Sequence, residues 1–189
     1  MSEYAALVVL IGVVISAFGA YLVQQRESQV QEQLRFSVTG GDGFPYLDVS
    51  IIGEKPPRAT LMVHNGGRFP LYDVDVRMAE LSKQASEERD LSIYGMEEAN
   101  LQSHVGTLPP GGARIIDRWG LPEQEDRHDY NVFISARNRF VIENIRLRRI
   151  ENRWRSAIRV FQDVGGKRSI LLERIDKEFP RSETGEVRW

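Results

Sequence analysis

A stretch of twenty residues without a charged side chain constrains this chain more than any other feature. It extends from Tyr4 to Val23 and reads YAALVVLIGVVISAFGAYLV. Twenty helical residues rise about 30 Å, which matches the hydrocarbon core of a bilayer. A backbone in that environment must satisfy its own hydrogen bonds, so the segment would be helical there. We therefore predict a transmembrane anchor over residues 1–23.

Two other interpretations of this segment stay open. A cleaved signal peptide would contain an apolar run, and Ala17-Phe18-Gly19 has the small-x-small pattern of a cleavage site. However, no basic residue precedes the run, whereas signal peptides begin with a basic region. A buried helix of a soluble domain is the other alternative, which we disfavour because the segment is apolar all round and lies at the terminus. We follow the interpretation of a retained, single-pass signal-anchor.

Charged and small residues indicate the side and the contacts of the predicted anchor. Arg26 and Arg35 follow the segment and no basic residue precedes it, so the positive-inside rule favours a cell-membrane protein with a cytoplasmic soluble domain. Gly12, Ser16 and Ala20 lie four residues apart, and such a row lets a second helix approach closely. We therefore predict the lipid bilayer as one partner and a homodimer through this face. The alternative is that small residues are simply frequent in membrane helices.

Helix-forming residues continue beyond the apolar segment. Residues 24–35 read QQRESQVQEQLR, without glycine or proline, and they predict a helical stalk over 24–39. The cluster Gly40-Gly41-Asp42-Gly43 then favours a turn. The stalk is thus expected to end where a separate domain begins.

The pattern after residue 43 is typical of β-strands. Leu47, Val49 and Ile51 alternate with polar residues, and similar period-two runs recur between turn signals such as Asn65-Gly66-Gly67. Seven or eight such runs, with few connections long enough for a crossover helix, predict a mainly β fold. We expect an antiparallel sandwich or an open barrel.

The boundaries of this domain follow from the same turn signals. We place the β domain at residues 40–165, with a polar insertion loop at 81–100. A C-terminal extension follows at 166–189, in which Ile170-Leu171-Leu172-Glu173-Arg174-Ile175 predicts a last strand or a short helix. Residues 182–189 are expected to be loose.

Three segments resemble known groups of proteins. Two of them resemble the strand-turn-strand and the following corner of bacterial immunoglobulin-like β-sandwich domains related to cell adhesion. A third resembles part of single-span bacterial membrane proteins of unknown function. The resemblance implies an immunoglobulin-like sandwich of seven or eight strands and carries no functional residue. The segments are Val63-x-Asn65-x-Gly67-x-x-Pro70-Leu71-x-Asp73-Val74-x-Val76, Val105-Gly106-Thr107-Leu108-Pro109-Pro110-Gly111, and Ala136-Arg137-Asn138 through Trp154 to Val160.

The most pointed chemical feature is an arginine-rich hairpin. Residues 137–159 contain eight arginines against two acids. Guanidinium groups bind phosphate and carboxylate through paired hydrogen bonds and stack on aromatic rings. If the two strands pair, one face would bind anionic lipid, an acidic protein or nucleic acid, the last being disfavoured by the net charge of −2. The alternative is a solvated face whose arginines protect a sheet edge. The candidate ligand-binding residues are Arg146, Arg148, Arg153, Arg155 and Trp154.

The sequence carries no clear signature of catalysis or of metal binding. It has no cysteine and three histidines, which excludes thiol chemistry and cysteine-based zinc sites. Acidic residues cluster at 87–98 and 123–129 without the Asp-x-Asp-x-Asp-Gly spacing of a calcium loop. No glycine-rich loop precedes a helix, as a phosphate-binding loop would. We therefore expect no cofactor, no metal site and no catalytic residue.

The function that these observations predict is a membrane-tethered, non-catalytic interaction module. It would bind a protein or an anionic ligand through its β domain. A pilin-like assembly subunit would share the apolar N-terminal helix, although no basic leader precedes it. An unrecognised hydrolase would need a histidine with a carboxylate and a hydroxyl, and His64 lies near Asp73 and Asp75 in sequence, across a predicted hairpin. We favour instead a strand-end residue with a hydrogen-bonded ring for His64. Both alternatives stay open.

Overall fold

The computed structural model describes residues 3–53, 57–81, 101–121 and 124–189, and within these ranges the side chains from residue 16 onward. Two compact units make up the chain, one ending at Val38 and the other extending from Thr39 to Trp189. The first unit consists of the helix α1, which extends from Glu3 to Thr39, except for its last residue. The strands all belong to the second.

The helix α1 ends at a glycine. Residues 24–35 are good helix formers, and Gly40 then adopts φ 96°, a positive value that favours glycine and stops helices. Residues 24–39, the range of the predicted stalk, are helical and belong to α1; the division of α1 into anchor and stalk stays a prediction. Within the part of the chain whose side chains the structure describes, no helix is both long enough and apolar enough to cross a membrane. The predicted anchor at 1–23 includes residues 1–15, whose side chains lie outside the described ones, so it stays a prediction.

Nine strands follow α1 within the described residues. Their bounds are β1 Pro45–Ile52, β2 Arg58–Asn65, β3 Leu71–Glu80, β4 Leu101–Leu108, β5 Ala113–Gly120, β6 Arg127–Ala136, β7 Arg139–Ile150, β8 Arg153–Val164 and β9 Lys167–Ile175.

The strands form two antiparallel sheets. One has three strands in the order β1-β2-β5, and the other has six in the order β4-β3-β6-β7-β8-β9. The prediction of a mainly β, antiparallel fold is confirmed. The predicted count of seven or eight strands is too low, because residues 170–175 belong to a regular strand, β9. The predicted insertion loop at 81–100 lies outside the described residues, apart from Leu81.

Alternation along the strands explains why two sheets form and share one core. In β6, for example, Tyr130, Val132 and Ile134 are buried, whereas the residues between them point to the opposite side. In β1, Leu47 and Val49 are buried in the same cluster as these β6 residues. The side of the six-stranded sheet that points away from this cluster is called the outer face below.

Asn65 ties together two of the segments that resemble immunoglobulin-like domains. Its side-chain amide donates to the carbonyl oxygens of Phe69 at 2.8 Å and of Leu108 at 3.1 Å. Its side-chain oxygen accepts the backbone N–H of Gly67 at 2.8 Å. Asn65 is buried, so these bonds satisfy a polar group inside the domain. They fix the turn after β2 against the end of β4.

The C-terminal tail, residues 176–189, packs on the outer face. Phe179 and Val187 are buried in a second apolar cluster with Ala157 of β8, and the ring of Trp189 contacts it. The guanidinium carbon of Arg159 lies 4.1 Å from the centroid of the Trp189 ring, a cation–π distance. The expectation of a loose segment at 182–189 is therefore wrong, because two apolar side chains of that segment find cover on the sheet.

Candidate functional site

The arginine-rich hairpin pairs as expected, but its side chains separate. Arg148 lies opposite Arg155 in the register of β7 and β8. Trp154 packs against the shared core, because a large apolar ring takes the inner side and alternation sends its neighbours outward. Arg153 is exposed, whereas Arg146 is buried. The five predicted residues therefore do not form one exposed ligand face.

A single aspartate accounts for the burial of Arg146. Asp129 of β6 lies directly opposite Arg146 and accepts hydrogen bonds from Arg148 at 2.6 Å and from Arg127 at 2.7 Å. The Arg146 Nε lies 3.8 Å from the same carboxylate. The Arg146 Nη1 donates to the carbonyl oxygen of Tyr130 at 2.7 Å. Three guanidinium groups thus converge on one carboxylate at the outer face.

The pKa values of this group follow from its burial and its charges. Burial alone would raise the pKa of Asp129, but hydrogen bonds from Arg148 and Arg127 and the charges of Arg148 and Arg146 outweigh burial and lower it. Burial lowers the pKa of Arg146 to about 10, against the opposing effect of Asp129. Arg146 therefore serves the interior of the chain and is not available to a ligand.

Arg155 is also engaged within the chain. Its guanidinium group forms an ion pair with Glu178 of the C-terminal tail. The neighbouring Arg159 pairs with Glu173 of β9 at 3.1 Å. The predicted row of guanidinium groups on the hairpin is therefore largely neutralised by carboxylates of the same chain.

A different set of arginines lines an open cleft between the sheet and the tail. The cleft measures about 700 Å³ and contains two arginines from β6 and β7 and two from the tail. The guanidinium carbon of Arg148 lies 5.8 Å from the centroid of the Phe179 ring, which places the tail over this end of the sheet. We call this site the basic cleft; its lining includes Arg127, Arg148, Arg181, Arg188, Ser182, Thr184 and Glu183.

Only Arg148 of the predicted ligand-binding residues belongs to the basic cleft. No local pattern links the other arginines to this site, because Arg181 and Arg188 lie more than thirty residues after Arg148. Their approach depends on Phe179 and Val187, whose burial on the outer face guides the tail. The only sequence feature that indicates docking of the tail is the occurrence of apolar residues such as Phe179 and Val187 among its charged residues.

The charged residues considered for a hydrolase have other partners. Asp75 contacts His104 at 2.8 Å, and Asp73 contacts Arg137 at 2.9 Å. His64 stacks instead on Tyr46, with ring centroids 5.1 Å apart. The predicted hairpin between these residues does not form, because β2, which contains His64, and β3, which contains both aspartates, belong to different sheets.

A hydroxyl group lies near the His104 pair, in a different order from that of a catalytic triad. Ser135 of β6 and His104 of β4 lie opposite Asp75 on its two sides. The aspartate therefore lies between the histidine and the serine. In a nucleophilic triad the histidine takes the middle position, because it removes the proton from the serine.

The predicted helix–helix contact falls partly on side chains outside the described ones. Ser16 and Ala20 are exposed on α1, whereas Gly12 belongs to the part of the helix without described side chains. The homodimer through this row stays a prediction.

The fold and the cleft define a mainly β domain with one arginine-rich cleft. Comparison with protein-family models, with curated proteins and with solved structures finds no match. The function is therefore proposed from the chemistry of the residues themselves.

Proposed function

We propose that this chain is a membrane-tethered, non-catalytic binding module whose β domain holds an anionic partner in the basic cleft. The observation that carries the proposal is the convergence of four arginines around one open cleft with a single glutamate in its lining. The partner would be an acidic or phosphorylated segment of a protein. This assignment moves the candidate site from the exposed hairpin to the junction of sheet and tail.

The charges around the cleft favour an anion. Arg127, Arg148 and the buried Arg146 share the carboxylate of Asp129, which leaves a surplus of two positive charges. Arg181 and Arg188 against Glu183 add one more. A guanidinium group carries five donors, so Arg148 retains N–H groups for a ligand beside those that it gives to Asp129. Partial burial strengthens such bonds relative to bulk water.

The strand order supports an immunoglobulin-like sandwich for this module. The three-stranded sheet, β1-β2-β5, matches the A-B-E order of such domains, and β4-β3-β6-β7 matches C′-C-F-G. Strands β8 and β9 extend the second sheet beyond this pattern and provide the surface on which the tail packs. The site itself thus arises from an extension of the common architecture.

The tether in this proposal rests on sequence. The uncharged residues 4–23 match the bilayer core in length, and Arg26 and Arg35 favour a cytoplasmic β domain. The basic cleft would then be presented to cytoplasmic partners. The row of Gly12, Ser16 and Ala20 would let two copies present their clefts together.

The proposal is tested by titrating the full chain, purified in a zwitterionic detergent, with inorganic pyrophosphate and with a short polyglutamate peptide. We expect R181Q/R188Q to weaken binding by at least about tenfold, because hydrogen bonds to charged groups contribute about 1.5–3 kcal/mol each. The matched control is R118Q/R153Q, which removes two exposed arginines outside the cleft. Equal weakening by both double variants would show general charge attraction and would contradict the proposal.

A second titration separates a protein-like ligand from a lipid surface. Vesicles of phosphatidylcholine with and without phosphatidylserine are mixed with the full chain at rising salt. Binding that needs phosphatidylserine and is lost in R181Q/R188Q, without binding of the peptide, would assign the cleft to anionic lipid instead. Surface attraction of that kind weakens strongly with salt.

A further inference from the structure

Three side chains with metal-binding atoms meet where β3 ends and β6 begins. The Nδ1 of His128 lies 2.8 Å from an oxygen of Glu80, and the Nε2 lies 3.4 Å from an oxygen of Glu125. One ligand-capable atom from each of the three residues falls within 4.8 Å of the others. The three come from different parts of the chain: the last residue of β3, the connection before β6, and β6 itself.

The Nε2 atom of His128 is the unusual member of this group. The His128 side chain is only 4% exposed, and its Nε2 has no hydrogen-bond partner among the described residues. Buried polar atoms are nearly always partnered. The contact with Glu125 has the distance of an ion pair, but it lacks hydrogen-bond geometry, so this buried nitrogen points at a carboxylate without bonding to it.

We propose that the Nε2 of His128 and a carboxylate oxygen of Glu125 bind one divalent transition-metal ion of the zinc class. Zinc bonds to nitrogen and oxygen are about 2.0 Å long, and tetrahedral geometry then separates two ligand atoms by about 3.3 Å. The observed separation of 3.4 Å matches that value. A shared metal ion also explains why the Nε2 of His128 and the carboxylate of Glu125 lie this close without a hydrogen bond.

Glu80 orients the histidine that binds the metal. A histidine that binds metal through one nitrogen usually donates its other N–H to a carboxylate, which fixes the tautomer and the ring orientation. The 2.8 Å contact from Nδ1 of His128 to Glu80 supplies this arrangement, and both side chains are buried. A proton on Nδ1 leaves the lone pair of Nε2 free for the ion.

Aromatic rings hold His128 in place. The ring of Trp154 lies 5.4 Å from the His128 ring, and that of Tyr130 lies 6.1 Å away in a stacked orientation. Trp154 was predicted to contact a ligand. Its ring instead packs beside His128 and helps to hold that imidazole in place. Glu125 is 47% exposed, which gives the ion a path from solvent and leaves room for water as the remaining ligands.

The ligand chemistry selects the class of ion. Imidazole nitrogen suits zinc, cobalt and nickel, whereas calcium and magnesium take oxygen ligands. The sequence predicted no metal site, because His128 and Glu125 form only a Glu-x-x-His pair and Glu80 lies forty-eight residues away. The strand pairing of β3 with β6, in which Glu80 lies opposite Tyr130, brings the third residue to the pair.

The proposal is tested on the full chain, stripped with a chelator and dialysed against zinc near neutral pH, with bound metal measured by elemental analysis. We expect one zinc ion per chain and, with cobalt in place of zinc, a visible absorption band of a nitrogen-ligated ion. Replacement of a residue that orients a metal ligand typically weakens metal binding by about 10–100-fold. We therefore expect E80Q to weaken zinc binding by that factor, and E125Q to weaken it at least as much.

The variants are chosen so that misfolding cannot imitate the result. E125Q changes a half-exposed side chain outside the regular strands, and its fold is checked by circular dichroism. The matched control is H104Q, which removes the exposed histidine paired with Asp75 and should leave the stoichiometry unchanged. An absence of stoichiometric zinc in the natural chain would overturn the proposal. Equal zinc affinity of E125Q and the natural chain would also overturn it.

Discussion

The side chain of Glu143, on β7, accepts a hydrogen bond from the backbone N–H of Leu47, on β1, at an N···O distance of 2.7 Å. Both residues are fully buried, and the bond joins the six-stranded sheet to an edge strand of the three-stranded sheet. Burial raises the pKa of Glu143 well above its ordinary value of 4.5, although the Leu47 N–H opposes this effect. The folded chain therefore holds the proton of this carboxyl group more strongly than the unfolded chain does.

The first prediction is that stability declines as pH rises because of this group. A raised pKa in the folded state contributes stability that is complete below 4.5 and is lost as pH rises through the raised pKa. Glutamine at position 143 has no such proton and retains an oxygen for Leu47. We expect E143Q to be more stable than the natural chain at alkaline pH, measured as the midpoint of urea unfolding across a pH series.

The control for this measurement is E151Q, at an exposed turn between β7 and β8. It should retain the pH dependence of the natural chain. The same alkaline decline in E143Q as in the natural chain would show that other groups cause it.

The second prediction concerns Asp129 and the arginines that surround it. D129N leaves Arg146 buried without a carboxylate, and breaking a buried ion pair in this way costs about 3–5 kcal/mol. R146M in the same chain should restore most of the lost free energy of unfolding, since it removes the uncompensated charge. Denaturant unfolding of both single variants and of the double variant measures the coupling. Additive losses would contradict the arrangement.

The third prediction follows from the lowered pKa of Asp129. A lowered pKa in the folded state contributes stability that is present above the ordinary value of 3.8 and is lost as pH falls through the lowered pKa. The natural chain should therefore lose stability in acid more steeply than D129N/R146M does. Unfolding midpoints at pH values below the ordinary pKa of aspartate test this difference, and parallel curves for the two chains would rule it out.

The fourth prediction is that Phe179 anchors the tail. F179A removes a buried ring from a small cluster and should release the tail without unfolding the sheets. We expect faster proteolysis at Lys177 and Arg181, and weaker anion binding in the basic cleft, with unchanged circular dichroism. E183Q, a change on the tail that leaves the cluster intact, is the control for proteolysis. Unchanged cleavage rates in F179A would contradict the role of the ring.

The fifth prediction tests the close approach of two turns. A Cβ atom at Gly67 would lie 2.2 Å from the Cα of Gly43 and 3.0 Å from its nitrogen, so backbone would have to move. Overpacking of this kind costs about 1–3 kcal/mol, and G67A should lower the free energy of unfolding by that amount. The control is G120A, where an added Cβ meets nothing within 4 Å. Equal effects of the two variants on thermal unfolding would refute the contact.

The parts of the structure that local patterns determine were predicted well. The helix to Thr39 and the alternation in β1 and β6 follow from residue types a few positions apart. The burial of Arg146 was missed because its partner, Asp129, lies seventeen residues earlier and meets it only when β6 pairs with β7. A charged strand face and a buried ion pair have the same sequence pattern, so only the pairing distinguishes them.

The basic cleft and the group around His128 could not be predicted from local sequence patterns, for a related reason. Each combines residues from segments that contact one another only in the folded domain. A tail that is expected to be loose gives Arg181 and Arg188 no fixed position, so they are not predicted as part of a site. Pairs of apolar residues in a short charged tail, such as Phe179 and Val187, are a weak signal for docking on a sheet.

The convergence of arginines on Asp129 also determines the register in which β6 pairs with β7. A slip of two residues would keep every side chain on its own side of the sheet, so hydrophobic burial alone would tolerate it. Such a slip would place Arg146 opposite Arg127 or Asn131 instead of Asp129. A desolvated cation would then face another cation or a neutral amide. The charges would disfavour the misaligned hairpin, and this one aspartate therefore selects the correct alignment of β6 with β7.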